Sequence, residues 1–247
     1  MVMRRLAYCL SIGCVAVIAF APAAGAGDKR AVIELFTSQG CSSCPSADRV
    51  LGELSHDRSL VTLSLSVDYW DYLGWKDTLA LPGNTKRQRG YAKSRGDRQV
   101  YTPQAVINGV LHVVGSDRSA VDQAIAKSRS EAGVLAVPVR LSQAADGRIT
   151  VAIADSPSGA NGEVWLCGVK KAAAVQIERG ENRGKTVTYH NVARGWHKLG
   201  DWNGKAASFT LSRSDLKGGV DEATVILQER PKGHPGRVLG AATLALK

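Results

Sequence analysis

Apolar residues run almost unbroken from Leu6 to Phe20, behind a start, Met1 to Arg5, that carries two arginines. The run is short of the ~20 residues a spanning helix needs, and Ala24-Gly25-Ala26 offers small residues at a cleavage position. That order predicts a secretory signal peptide over residues 1–26. Beyond it, Ala31 to Phe36 (AVIELF) is a short apolar run of the buried-strand type, ended by the turn residues Thr37 to Gly40. Val50, Leu51 and Leu54 then fall at helical spacing, and Leu60 to Val67 (LVTLSLSV) alternates as a strand does. Strand, turn, helix, strand is a βαβ opening and favours parallel pairing.

Asp68 to Trp75 (DYWDYLGW) breaks the periodicity and holds Tyr69, Trp70, Tyr72 and Trp75, four of the chain's eleven Tyr and Trp residues. Asn84 to Arg95 is polar and basic and reads as a surface helix. Gln104 to Asn108 and Val110 to Val114 are strands joined at the tight-turn signal Asn108-Gly109. Ser116 or Asp117 caps a closing helix that runs to about Ser130. After Gly133 the pattern changes to short β-rich runs, from Val134–Leu141 through to Val238–Leu246, separated by Gly, Asp, Asn and Pro. The pattern therefore predicts an α/β domain over residues 27–132 and an all-β, antiparallel, sandwich-like domain over 134–247.

Cleavage of the leader removes Cys9 and Cys14 and leaves Cys41, Cys44 and Cys167. In an exported compartment, periplasmic or secreted, one close pair plus one leftover is a working pair rather than a disulfide framework. The formal charge of +10 falls to about +8 without Arg4 and Arg5, and the excess lies downstream: 14 basic and 12 acidic residues from Gly27 to Gly133, 16 and 10 from Val134 onward. No recognition motif accompanies that charge, so nucleic acid is not the expected partner. No second long apolar run follows the leader, and no transmembrane segment is expected in the mature chain.

Cys41 is read at a helix N-terminus, where unsatisfied N–H groups and the helix dipole favour the thiolate that attacks disulfides. Cys44, one turn along, resolves the mixed disulfide, and Pro45 suits the first helical turn. A four-residue loop constrains the unfolded chain little, which argues against a purely structural disulfide. Zinc lacks a second CxxC or paired histidines; His112, His190, His197 and His234 are scattered. Haem attachment would need His where Pro45 stands, whereas copper(I) accepts two thiolates and stays open. No cofactor is expected and no metal ligand is assigned. Asp68 and Asp71 are either proton acceptors for the resolving thiol or solvated carboxylates. Cys167, in VWLCGV, reads as a small buried hydrophobe.

The CSSC turn, the strand before it and TPQAVINGVLHVVGSD resemble the thioredoxin superfamily over roughly Ala31 to Ser130, the last stretch most closely the glutaredoxins. ELFTSQGCSSCPSAD, VDYWDYLGWKD, YTPQAVINGV and GENRGKTVTYHNV resemble an exported thioredoxin-like family catalogued as domain of unknown function 1223. Where that family commonly has a histidine before VDYWD, this chain has Ser66. The resemblance implies a thioredoxin-like first domain, with Thr102 and a cis Pro103 beside the cysteines. Together these readings give an exported thiol–disulfide oxidoreductase or thiol-dependent chaperone. Cys41, Cys44 and Pro103 would be its catalytic residues, and Thr102, Tyr69, Trp70, Asp71 and Trp75 its contacts to a protein or small thiol or disulfide partner. A copper(I) carrier or a non-catalytic interaction module is the alternative.

Overall fold

Every residue of the first strand, β1 (Ala31–Thr37), is buried, because both faces of the sheet it joins are covered. The computed structural model describes residues 29–156 and 159–247; the expected leader over 1–26 lies outside them. Strand alternation sends Ala31, Ile33 and Leu35 to one face, under α1 (Cys44–Leu54) and α3 (Arg118–Arg129). Val32 and Phe36 go to the other, under α2 (Pro82–Arg95) and its fully buried Tyr91. A parallel partner, β2 (Leu60–Ser66), lies along β1 with Thr37 opposite Ser66. On the far side β1 meets β3 (Gln104–Ile107), antiparallel, and β4 (Leu111–Val114) returns beside β3. Asn108 and Gly109 turn that hairpin at φ 51° and 71°. A Cβ on Gly109 would strike the Gly236 carbonyl oxygen, so glycine is required there. Asp117 caps α3 by accepting the Ala120 N–H at 2.9 Å.

The second half does not form a separate antiparallel sandwich. Its two longest strands, β7 (Gly162–Gln176) and β8 (Thr186–Trp202), continue the sheet of the first half, β8 meeting β2 in parallel at Ser64 and Val192. With β10 (Glu222–Gln228) and β11 (Val238–Ala245) they complete an eight-stranded mixed sheet, ordered β11-β10-β7-β8-β2-β1-β3-β4. Three shorter strands, β5 (Val139–Gln143), β6 (Arg148–Ile153) and β9 (Ala207–Ser212), form a second sheet. It covers Val164, Leu166, Val225 and Leu227 of the large one. The expected thioredoxin-like α/β domain followed by an all-β sandwich is therefore corrected to a mostly β fold with three α-helices among the described residues, in which one mixed sheet draws strands from both halves. Lys170-Lys171, Gly195 and Gly200 do not end strands. They lie instead within a continuous antiparallel ladder between β7 and β8, whose register shifts twice to absorb the irregularity.

Buried charge is concentrated under α2. Arg87 donates to both oxygens of Glu34, at 2.5 and 2.7 Å, while Tyr91 and Gln228 close the network. Burial alone would lower Arg87, but the Glu34 carboxylate beside it more than compensates and holds it charged. Thus α2, read from its composition as a surface helix, carries an inward polar face of Asn84, Thr85 and Gln88.

Candidate active site

The turn between β1 and α1 brings Cys41 and Cys44 together in a disulfide, with Cα atoms 5.4 Å apart. The helix starts one turn later than its pattern suggests: Cys44 is its first residue, and its N–H bonds to the Cys41 carbonyl at 3.2 Å. Both cysteines are buried; Cys44 has no exposed surface and Cys41 keeps 2% of its own. The Cys41 sulfur also lies 3.5 Å from the Ser43 hydroxyl.

Long-range side chains hold the turn from behind. Asn182, between β7 and β8, donates to the Gln39 carbonyl at 3.0 Å and the Cys41 carbonyl at 2.8 Å. The Gln39 N–H bonds to Asp77 at 2.8 Å, and the Gln39 side chain accepts the Trp75 indole N–H at 2.7 Å. Trp75 therefore buttresses the turn and does not present a free indole. Asp71 accepts the Asp77 N–H and so organises the backbone of this segment, while Asp68 accepts the Thr85 hydroxyl at 2.6 Å and ties the segment to α2.

The front of the turn is aromatic. A Cβ on Gly40 would sit 3.0 Å from Trp70 Cβ, and the Trp70 indole donates to the Thr102 hydroxyl at 2.8 Å. Trp70 thus spans the cysteine turn and the loop before β3. Pro103 precedes Gln104, the partner of Phe36, by one place and so stands level with Thr37; the Thr102–Pro103 peptide is cis. The Pro103 carbonyl accepts the Gly115 N–H at 2.9 Å. Tyr69 bonds to Gln88, which in turn holds the Tyr101 carbonyl. Tyr72 is 78% exposed and stacks on Trp70, with ring planes 15° apart. Trp70 and Tyr72 form a ledge beside the disulfide; Tyr69 and Trp75 stand behind it.

One residue under the turn carries a signal that the apolar pattern hides. Helical spacing puts Asp48 on the same face of α1 as Cys44, Ala47 and Leu51, all buried. Neither carboxyl oxygen has a hydrogen-bond partner, and the hydroxyls of Thr37, Ser64, Ser66 and Tyr189 are likewise buried and unpaired. Burial pushes the Asp48 carboxyl up to about 8, with Asp77 adding to the rise. The Thr37 hydroxyl opposes it, although no bond of normal geometry joins the two, so desolvation dominates. Asp77 is raised too, again first by burial. The arrangement can hold a proton one helical turn from Cys44 at neutral pH. The spacing Cys44 to Asp48 was the available clue.

Cys167 takes no part: it is fully buried on the α2 side of the sheet, and burial raises its thiol to about 12. Among the described residues, no group of three or more His, Cys, Asp or Glu stands together as a metal would require, and no helix is long and apolar enough to cross a membrane.

The model of a family described as "protein of unknown function (DUF1223)" matches residues 32–228, a span from β1 through β10 that takes in the cysteine turn, Asp48 and Asn182. The chain belongs to this family. A crystal structure of protein AGR_C_4864 from Agrobacterium tumefaciens is 33% identical to this DUF1223 chain. The match covers 89% of this chain and 95% of that one, with a TM-score of 0.80. No curated protein matches the DUF1223 chain.

Proposed function

We propose that this DUF1223 protein is an exported thiol–disulfide oxidoreductase that works through Cys41 and Cys44. The observation that carries the reading is the pair at disulfide geometry followed, one helical turn on and on the same buried helix face, by an unpaired carboxyl, Asp48. A structural staple has no use for such a carboxyl, whose burial costs stability unless a proton is held. In the reduced protein the Cys41 thiolate attacks one sulfur of a partner disulfide; the Cys41–partner bond forms, and the partner's other sulfur leaves as a thiolate. Cys44 passes its proton to the Asp48 carboxylate, its thiolate attacks Cys41 Sγ, and the second partner sulfur leaves. Two electrons have then moved from the cysteine pair to the partner. In reverse, a partner thiolate opens the bond at Cys41 and Asp48 returns the proton to the departing Cys44 sulfur. Trp70 and Tyr72 supply the ledge against which the partner lies.

Exchange with a fluorescent peptide disulfide tests this. The wild-type protein is expected to exchange far faster than an equal concentration of glutathione, and Cys41→Ser to be inert. Cys44→Ser should stop at the mixed disulfide, and Asp48→Asn should be slower by about 10² with an altered pH profile, the usual scale for a lost proton-transfer group. A wild-type rate equal to that of glutathione, together with stoichiometric copper(I) uptake by the two thiols, would assign the pair to metal carriage instead.

A further inference from the structure

A groove of about 670 Å³ leads away from the cysteine turn, beginning at Pro45 and running between α1 and the start of β8. Its walls carry Arg49, His56, Lys185 and His190, with Glu53 as the one carboxylate. Glu53 is already engaged by Arg118 at 3.4 Å. Arg49 and Lys185 are exposed, and among the described residues neither has a carboxylate within 4.0 Å; the Lys185 ammonium instead donates to Asn182 Oδ1 at 2.9 Å. The groove therefore holds uncompensated positive charge next to the disulfide.

Its shape suits an extended chain. From Thr186 to His190 one edge of β8 pairs with β7, while the other meets no strand, since β2 reaches β8 only at Val192. Open backbone groups on a strand edge are a template for an added extended segment. Five strand residues span ~17 Å, and α1, 11 residues long, runs for about the same distance, ~16 Å. Gly52 allows the close approach of helix and strand at the far end: a Cβ there would fall 2.8 Å from the His190 ring.

We propose that this groove docks an extended, acidic segment of a partner polypeptide, about five residues long, which enters beside the disulfide. The inference rests on the disulfide-exchange reading for its purpose but not for its test. Binding is measured with the oxidised wild-type protein and a rhodamine-labelled, cysteine-free peptide, Ser-Glu-Val-Glu-Thr-Glu, by fluorescence anisotropy at about 20 mM salt, where surface charges are weakly screened. The Gln counterpart of the peptide is expected to bind more weakly, and Arg49→Glu to lose about tenfold in affinity for the acidic peptide, the scale of reversing one exposed charge contact. Lys185→Gln should weaken binding less, and Lys232→Glu, on a turn outside the groove, should leave it unchanged. Equal binding of both peptides, or wild-type affinity in the Arg49→Glu and Lys185→Gln variants, overturns the proposal. A protein that binds the acidic peptide in this charge-dependent way but exchanges no disulfide sinks the redox reading and leaves the groove standing. Exchange that proceeds with no charge-dependent binding does the reverse.

Discussion

Replacing Asp48 by Asn removes an ionisable group while keeping its size, and the structure sets the expected consequence for stability. In the unfolded chain this carboxyl titrates near the ordinary 3.8, and in the folded protein near about 8. Across that interval the native state holds a proton that the unfolded state has released, so stability must fall as pH rises, and the loss is complete once pH passes the folded value. The interval is roughly four pH units and each is worth about 1.4 kcal/mol, which sets a ceiling of about 6 kcal/mol on the cost of ionising Asp48 in place. At pH 5 both folded side chains are neutral, but the unfolded wild type has already released its proton, so Asp48→Asn should lead by about 1–2 kcal/mol, the linkage over the one pH unit or so above 3.8. By pH 8 that lead should have grown by up to about 4 kcal/mol, the linkage expected over three further pH units. Urea unfolding followed by circular dichroism at pH 5, 6, 7 and 8, with the disulfide intact, measures the difference. Contributions from Asp77 and Glu222, which burial also raises, occur in both proteins and largely cancel. A difference that stays constant from pH 5 to pH 8 would refute the reasoning, since it would mean that Asp48 ionises as an ordinary surface carboxyl. The same variant should be slower in exchange, so it would gain stability at the expense of activity.

Other perturbations have expected outcomes of similar definiteness. Asn182→Ala takes the side-chain donor from the Gln39 carbonyl and leaves the Cys41 carbonyl with the Cys44 N–H alone, and should cost about 1–3 kcal/mol in urea unfolding, with faster reduction of the disulfide by dithiothreitol. Arg87→Met strands the Glu34 carboxylate in the core and should cost about 3–5 kcal/mol; if its unfolding midpoint matches the wild type, the pair is not ionised. Trp70→Ala takes away the bond to Thr102 and the ring under Tyr72, and should slow exchange with peptide disulfides more than with glutathione disulfide, as stopped-flow rates would show. Cys167 should resist iodoacetamide at pH 8 in the folded protein and react on unfolding, read by mass spectrometry.

What the chain reveals before folding is uneven, and the reasons are local. AVIELF and LVTLSLS read as strands because both are central and buried on two faces, so their composition alone marks them. Asn108-Gly109 gives its turn away by needing positive φ twice. The β7–β8 arm is the opposite case. Its outer residues, such as Lys171 and Thr188, are exposed, so no apolar period marks them, and the long ladder is held by pairing between positions that sequence does not show to be neighbours. The same limit applies to the site. Cys41 and Cys44 stand out by residue type, and Trp70 by its place in an aromatic cluster. Asp48 looks like one acid in a polar turn until the helix start is fixed at Cys44, and Asn182 has no local signature at all.

The reach of Asn182 bears on how the protein matures. Its two bonds to the cysteine turn join residues 143 and 141 positions apart, so the turn lacks its backing until nearly three quarters of the chain has been made and brought home. Contacts of such separation form late and slowly. Under the export proposed above, into an oxidising compartment, the nascent segment would thus present Cys41 and Cys44 in a loose turn while Cys167, later sealed under α2, is still reachable. A wrong bond from Cys167 to either partner would block the closing of β7 onto β8, because its side chain must end up on the opposite face of the sheet from α1. Oxidation of the pair before β7 assembles removes that hazard, which gives the short Cys-Ser-Ser-Cys spacing a use in biogenesis: the nearest thiol reacts first.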